Sequence, residues 1–338
     1  MELNWPDLLS GLVGGNDLGA DESAAAFGEI MDGNVEPAVT AAFLTALAAK
    51  GETGPEISGL ASAMIAHAVP VEAAHPLLDT CGTGGDRSGT VNVSTMAAFV
   101  CAGAGVRVAK HGNRSASSKC GSADVLEALG VQIALGPEAV ARCIDEAGIG
   151  FMFAQAFHPA MKHVMPVRKA LGIRTVFNLI GPLSNPARAE FQVVGVSDLP
   201  TAPIVAAALG SLGVKRALVV HGADGLDELS TTGASNVWDT DGETIAEYEI
   251  DPADFALAPA TPDDLRGGDA EQNASVTRDV LAGKPGAVRD IVVLNAAAGL
   301  VAAGVAEHFS AGISAAAAAI DSGAAAASLD KLVQVSNA

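Results

Sequence analysis

In the first seventy residues, hydrophobic positions recur at the three- and four-residue spacing of helices, over residues 23–31, 37–50 and 55–67. Gly51 and Pro70 act as stops, and no convincing strand lies between them. A small helical bundle is predicted. Past Pro76 the period changes: short β-type runs at 76–80, 106–109, 149–153, 191–196 and 217–221 alternate with helical stretches. Such alternation predicts a mostly parallel sheet. Residues 159–186 revert to helical spacing, broken repeatedly by Pro and Gly, as in a return to the bundle. Residues 236–250 read as a hairpin about Asp241-Gly242, and the last fifty residues as Ala-rich helices, Ala being the best helix former. The expected fold class is α/β. A small all-helical N-terminal domain spans 1–72, with a helical return at about 160–188, and a larger α/β domain spans 73–159 and 189–338.

Charge changes the picture more than bulk composition does. Hydrophobic residues make up 49% of the chain but aromatics only 4%, so Ala, Val, Leu and Gly must fill a sizeable core. Acids outnumber Lys and Arg by 39 to 19, for a formal charge of -20 with no basic block. General affinity for nucleic acid or an anionic membrane is disfavoured. A polyanionic substrate would need the few cations gathered at its site, or metal ions, so each Lys and Arg is informative. Cys81, Cys101, Cys120 and Cys143 form no C-x-x-C pair and read as reduced, mostly buried thiols. With no positively charged, apolar N-terminal leader and Ala runs broken by Gly, Ser, Asp and His, a cytoplasmic protein is expected.

Three segments carry chemistry. Residues 79–86, Asp79-Thr80-Cys81-Gly82-Thr83-Gly84-Gly85-Asp86, run from a strand end into a glycine-rich loop, with a helix starting near Asn92-Val93-Ser94-Thr95. Bare backbone N–H groups and a helix N-terminus suit an anion. The spacing fits neither a Walker A loop nor a dinucleotide fingerprint, and a glycine-rich turn after a strand also arises for purely structural reasons. Residues 110–119 place Lys110, Arg114 and Lys119 with three hydroxyls after the next strand, before a helix near Ser122. Alone they read equally as a solvated basic loop. Two such loops after neighbouring strands favour a ligand site. Residues 221–228 end a strand in a turn with Asp224, Asp227 and Glu228, hard oxygen ligands suited to Mg²⁺ beside a phosphate, although so acidic a chain has acidic loops for no special reason.

Together with HPAM at 158–161 and VRxxLGxRTxFNxxGPLxNP at 167–186, the segments GTGGD, NVST, KHGNRxxSSKxGSADVLEALG and HGxDGLDE resemble, in order, the anthranilate phosphoribosyltransferases. The resemblance covers most of the chain, from about Glu2 through the C-terminal helices. It implies an active site at the hinge of the two domains and a homodimer formed through the helical ones. It implies transfer of the 5-phosphoribosyl group of phosphoribosyl pyrophosphate (PRPP) to the amine of anthranilate, with Mg²⁺. By resemblance, Gly82, Gly85, Asp86, Thr90, Asn92, Val93, Ser94 and Thr95 hold PRPP. Lys110, His111, Gly112, Asn113, Arg114, Ser115, Ala116, Ser117, Ser118 and Ser122 form a loop that folds over it. Ser94, Asp227 and Glu228 take the metal-associated positions, and Gly82, Asn113, His111 and Arg168 line the anthranilate side. Lys110, Arg168, Asp227 and Glu228 are the residues expected to carry catalysis.

Arg168 also stands on its own chemistry, because a benzoate needs a cation and guanidinium holds a carboxylate bidentately. Lys169 and Arg174 read as structural. His158 either lines the entry path or is a satisfied loop histidine. Met161 departs from the larger or polar residue of some relatives. An aromatic amine is a weak nucleophile, so positioning and neutralisation of the leaving group are expected to drive the reaction, without a covalent intermediate. Two rivals are a pyrimidine nucleoside phosphorylase, which would cleave thymidine or uridine with phosphate, and a noncatalytic nucleic-acid-binding relative, which should be basic.

Overall fold

A computed structural model describes residues 3–115 and 119–338. Four helices open the chain: α1 (Trp5–Val13), α2 (Ala20–Met31), α3 (Pro37–Lys50) and α4 (Gly54–Ala66). The start of α4 is fixed by a capping box, in which Thr53 N–H donates to Glu56 Oε2 at 2.8 Å and Glu56 N–H returns to Thr53 Oγ1 at 3.5 Å. The Lys50 ammonium, 2.9 Å from Glu56, neutralises that buried carboxylate. Phe27, Phe43, Leu44, Leu47, Ile57 and Leu60 are fully buried between the helices, each contributing roughly 2–3 kcal/mol of burial.

The α/β part follows as β1 (Leu78–Gly82), α5 (Val93–Gly103), β2 (Val108–Gly112), α6 (Ser122–Ala128), α7 (Pro137–Ala147), β3 (Ile149–Phe153) and α8 (Ala154–Phe157). A 3-10 turn at Pro159–His163, α9 (Met165–Leu171) and α10 (Phe177–Ile180) come next. Then come β4 (Phe191–Gly195), α11 (Ala202–Ser211), β5 (Arg216–Gly222), β6 (Ser235–Thr240), β7 (Ile245–Ile250), α12 (Ala270–Leu281), α13 (Ala287–Ala302), α14 (Phe309–Asp321) and α15 (Ala324–Ser336). The seven strands lie in the order β3-β2-β1-β4-β5-β6-β7. Pairs among the first five are parallel, and β6 and β7 add as an antiparallel hairpin turning at Gly242, φ +93°. Helices α5 and α12–α15 cover one face of the sheet in one apolar core.

The second core joins the two parts. Val164, Val167, Val176, Phe177, Ile180 and Leu183, from the return segment, share it with α1–α4, and it extends onto Val194, Val219 and Trp238 of the sheet. Phe27 and Phe177 meet across it with ring centroids 5.3 Å apart. Cys101, Cys120 and Cys143 are buried thiols and Cys81 is partly buried. Among the described residues no single helix is long and apolar enough to cross a membrane; the bent pair α14–α15 passes by length and composition only.

Two expectations need correction. Helix α1 carries no place in the predicted pattern, because nine residues offer too few turns for a period and its start is marked by Asn4, whose side chain accepts from Asp7 N–H, and by Pro6. Strand β2 continues past Ala109 to Gly112, since Lys110, His111 and Gly112 pair with Phe151, Met152 and Phe153 of β3. The hydrophobic run stops earlier than the strand. Lys110, His111 and Gly112 therefore belong to a strand end and not to the loop in which the sequence set them.

Candidate active site

Chain connection reverses between β1 and β4: β1 leads to β2 on one side, whereas β4 lies on the other. Ligands of open α/β sheets bind in the crevice at such a point, beyond the strands' carboxyl ends. Here the glycine loop leaves β1, with Gly84 at φ +65° and Gly85 at φ +82°. Its shape is fixed from β4: Thr83 N–H donates to Gly195 O at 2.8 Å, Ser197 N–H to Thr83 Oγ1 at 3.2 Å, and Ser197 Oγ to Gly84 O at 2.9 Å.

The turn after β5 reaches over both strands. Asp227 Oδ2 accepts from Gly84 N–H at 2.7 Å, and the absence of Cβ atoms lets it in. A Cβ on Gly82 would stand 2.3 Å from Asp227 Oδ2, and one on Gly195 1.6 Å from the Asp227 carbonyl oxygen. The latter is backbone against backbone and cannot be relieved by a rotamer. Gly195→Ala is therefore expected to displace the 223–229 turn and reduce turnover at least about tenfold, with a thermal midpoint lowered by several degrees for about 1–3 kcal/mol of overpacking. Steady-state rates and a melting curve check it.

Next to Asp227, Glu228 Oε1 accepts from Ser94 N–H, 3.1 Å away at the N-terminus of α5, where the helix dipole favours negative charge. Both carboxyls are half-buried. Burial, and for Glu228 also repulsion from Asp227, pushes them above the usual carboxylate range, and Asp86 adds to it in both cases. Lys110 offsets Glu228, and Arg174 offsets Asp227. Two adjacent half-buried carboxylates that raise each other's proton affinity, beside a phosphate-type loop, fit a divalent cation. No group of three or more His, Cys, Asp or Glu side chains converges among the described residues. A magnesium ion would thus complete its oxygen shell from water and ligand phosphates, as this ion prefers.

The Lys110 ammonium is buried, donating to Thr80 O and, at 3.5 Å, to Ser94 Oγ. One of its three protons is left. Asn92 Nδ2 donates to Cys120 O at 3.2 Å and its Oδ1 accepts from Asn273 Nδ2 at 2.9 Å, while Val93 and Thr95 are buried. What residues 92–95 present is the helix N-terminus and Ser94. Asp86 accepts from Ser88 Oγ, and Thr90 pairs with Arg266. In the following loop, Ser122 Oγ donates to Asn113 O at 3.2 Å, and Ser115 N–H to Asp124 at 3.3 Å. The Arg114 guanidinium lies between Asp124 and Glu127, at 2.7 and 2.5 Å, and 5.6 Å from the Phe153 ring centroid. It is paired with acids in this conformation, unlike the free cation the sequence anticipates. Ala116, Ser117 and Ser118 lie outside the described residues.

On the other face of β2, His111 and His158 are buried with their Nε2 atoms 3.2 Å apart. Burial pushes His111 down to about 3 and His158 to about 4, so both are neutral at pH 7 and one donates to the other. Arg168, on α9, lies 4.7 Å over the Phe177 ring. Among the described residues no carboxylate pairs with it, and desolvation lowers its pKa. Phe177 begins α10, which leads into Gly181, whose backbone faces His111. Met161 packs against the same core, and Lys169 is exposed.

A glycosyl transferase family helical bundle domain matches residues 6–68, and the a/b domain of a glycosyl transferase family matches 74–326. The anthranilate phosphoribosyltransferase of Roseiflexus sp. is 55% identical over 332 residues, covering 98% of this chain and 97% of that one. The chain belongs to the anthranilate phosphoribosyltransferases. The crystal structure of the Thermus thermophilus transferase superposes with a TM-score of 0.93 at 44% identity, over 98% of this chain and all of the other. That of Saccharomyces cerevisiae in complex with PRPP and Mg matches with a TM-score of 0.90 at 28% identity, over 98% of each.

Within this transferase, residues that the sequence leaves aside join the site. Arg174, read as structural, has its guanidinium 3.8 Å from where a Gly85 Cβ would be, and it acts on Asp227. In so acidic a chain, an arginine with no nearby acid in sequence is the signal for it. Ser197 and Gly195, which shape the glycine loop, carry no such signal, because their role exists only once β4 lies beside β1.

Proposed function

We propose that the crevice over β1 and β4 is where this transferase moves the 5-phosphoribosyl group of PRPP to the amine of anthranilate, releasing pyrophosphate. One arrangement carries the reading: a glycine loop, a helix N-terminus and a half-buried carboxylate pair converge on one side of β2, and on the other lie two neutral histidines and a guanidinium that meets no carboxylate among the described residues. The first set suits a polyanion with its cation, the second a benzoate.

In this reading the N–H groups of Gly85 and Asp86 and the N-terminal dipole of α5 cradle phosphates, while the Thr83, Gly84 and Ser94 N–H groups hold Gly195, Asp227 and Glu228 in place. Asp227 and Glu228, with Ser94, would hold Mg²⁺, which when bound supplies positive charge to the departing pyrophosphate. Lys110, fixed by Thr80 and Ser94, contributes a positive potential beneath the same loop. Arg168 takes the anthranilate carboxylate and so sets the direction of the amine. The neutral His111–His158 pair presents a polar wall with no charge to compete for that carboxylate. As C1–O of the ribose breaks, positive character grows on the ring, and the held amine adds to the opposite face. Alignment of two bound reactants, worth up to about 7–11 kcal/mol in favourable cases, replaces a covalent intermediate.

The proposed division sets 1–72 with 160–188 against 73–159 with 189–338; the return segment's packing with α1–α4 supports it, although the same core runs on into the sheet. A homodimer through the helical part and a cytoplasmic location complete the proposal, as does the absence of nucleic-acid and membrane partners expected at a charge of -20. Loss of anthranilate fluorescence on mixing with PRPP and Mg²⁺ tests the reaction. A decay that needs all three components is expected. No decay in a folded, PRPP-binding sample would point to another acceptor.

A further inference from the structure

Parallel strands β1 and β4, β2 and β3, and β4 and β5 each pair over five residues, but β1 and β2 pair only at Leu78 with Val108. Beyond that point the regular ladder between them stops. Backbone groups it leaves still need partners. His111 N–H donates to Asp79 Oδ1 at 3.2 Å, and Ala109 O accepts from Asn185 Nδ2 at 2.8 Å. The two side chains close on each other, Asn185 Nδ2 donating to Asp79 Oδ2 at 2.7 Å, while Ala187 N–H donates to Asn185 Oδ1 at 2.8 Å. Asp79 is 0% exposed and Asn185 1%. A fully buried carboxylate costs several kcal/mol to desolvate, and no Lys or Arg forms an ion pair with this one among the described residues; Lys110 only attracts it through space.

We propose that Asp79 and Asn185 form a wedge between β1 and β2 that positions His111 against the segment bearing Arg168. Both are positioning residues. Asn185 lies on the same return segment as Arg168, after α10, while Asp79 lies on the strand that feeds the glycine loop. The wedge is thus the hydrogen-bonded tie between the wall that receives anthranilate and the strands that hold PRPP. A simple structural filler would be apolar here. What the site uses is an acceptor on each side of one carboxylate, matched to one backbone N–H and one amide.

The proposal rests on the transferase reading above, so wild-type turnover is measured first. Asp79→Asn turns one acceptor into a donor that faces a donor, and Asn185→Asp sets two carboxylates against each other. Each is expected to lower kcat/KM for anthranilate about 10- to 100-fold, with the Kd for PRPP and Mg²⁺ held within about threefold. The swap Asp79→Asn with Asn185→Asp again sets one donor against one acceptor between the two side chains, but gives up the bond to Ala109 O, which then faces a carboxylate oxygen. It should recover at least about fivefold over Asn185→Asp, the outcome of a specific pair. Should Asp79→Asn fail to fold, Asn185→Ser reads the same split between substrates. Equal losses toward PRPP and anthranilate, or a swap no more active than Asn185→Asp, would overturn the wedge. If the wild-type chain left anthranilate unreacted, the transferase reading would fail separately. The wedge would then be judged by melting temperature, where the swap must regain what the singles lose.

Discussion

Glu228→Gln should lower kcat by about 10²–10³-fold, leave a rate that added Mg²⁺ no longer restores, and raise the melting temperature in the absence of the metal. The three effects have one cause. Glu228 is half-buried beside Asp227, and both carboxyls are pushed above their usual range. Without a cation, ionising the pair works against folding. Glutamine keeps an oxygen for the Ser94 N–H, 3.1 Å away in the native chain, and removes one charge. The folded state then gains stability while the metal loses a ligand. A conventional destabilising mutation moves rate and stability in the same direction, so their opposition identifies a charge kept for function. Magnesium titrations of the rate and melting curves in chelator measure both. A variant with native magnesium dependence would remove Glu228 from the metal's site.

The broad fold is legible because its periods are clean. Buried parallel strands such as 149–153 read as apolar runs, and α3 starts at Pro37 and stops at Gly51 as its sequence says. Legibility fails where a residue answers to a partner distant in the chain. Strand β2 ends in Lys110 and His111, polar residues that no strand pattern includes, yet β3 holds them in the ladder and the resulting alternation sends Lys110 toward Ser94 and His111 toward His158. The glycine motif shows that an anion loop exists; that Gly82 and Gly195 are bare in order to admit Asp227 appears only in three dimensions. Arg114 errs the other way. Its basic segment suggests a free cation, but Asp124 and Glu127 lie on one face of the next helix, three residues apart, and take it up. Asp79 and Asn185 are 106 residues apart and carry no local sign of pairing.

Arg168→Ala is expected to raise the KM for anthranilate by about 10²–10³-fold, as loss of one member of a desolvated charge pair costs about 2–5 kcal/mol, and to leave the KM for PRPP within about threefold. The free protein should tolerate the change. The guanidinium has no carboxylate partner among the described residues, so its removal strands no acid; what is lost is the stacking on Phe177, 4.7 Å away, about 1 kcal/mol. Arg168→Lys should recover little, because an ammonium offers neither the planar fork nor the same stacking. The decisive comparison uses the acceptor. If Arg168 reads the carboxylate, removing it from the protein and removing the carboxylate from the substrate delete the same interaction. Wild-type enzyme should then prefer anthranilate over aniline by a factor close to the loss in the alanine variant, and the variant should scarcely distinguish the two. Kinetics with both amines on both proteins close the cycle. A variant that still prefers anthranilate by the wild-type factor would mean that another group holds the carboxylate, and Arg174, the exposed cation beside Gly85, would be the first to replace.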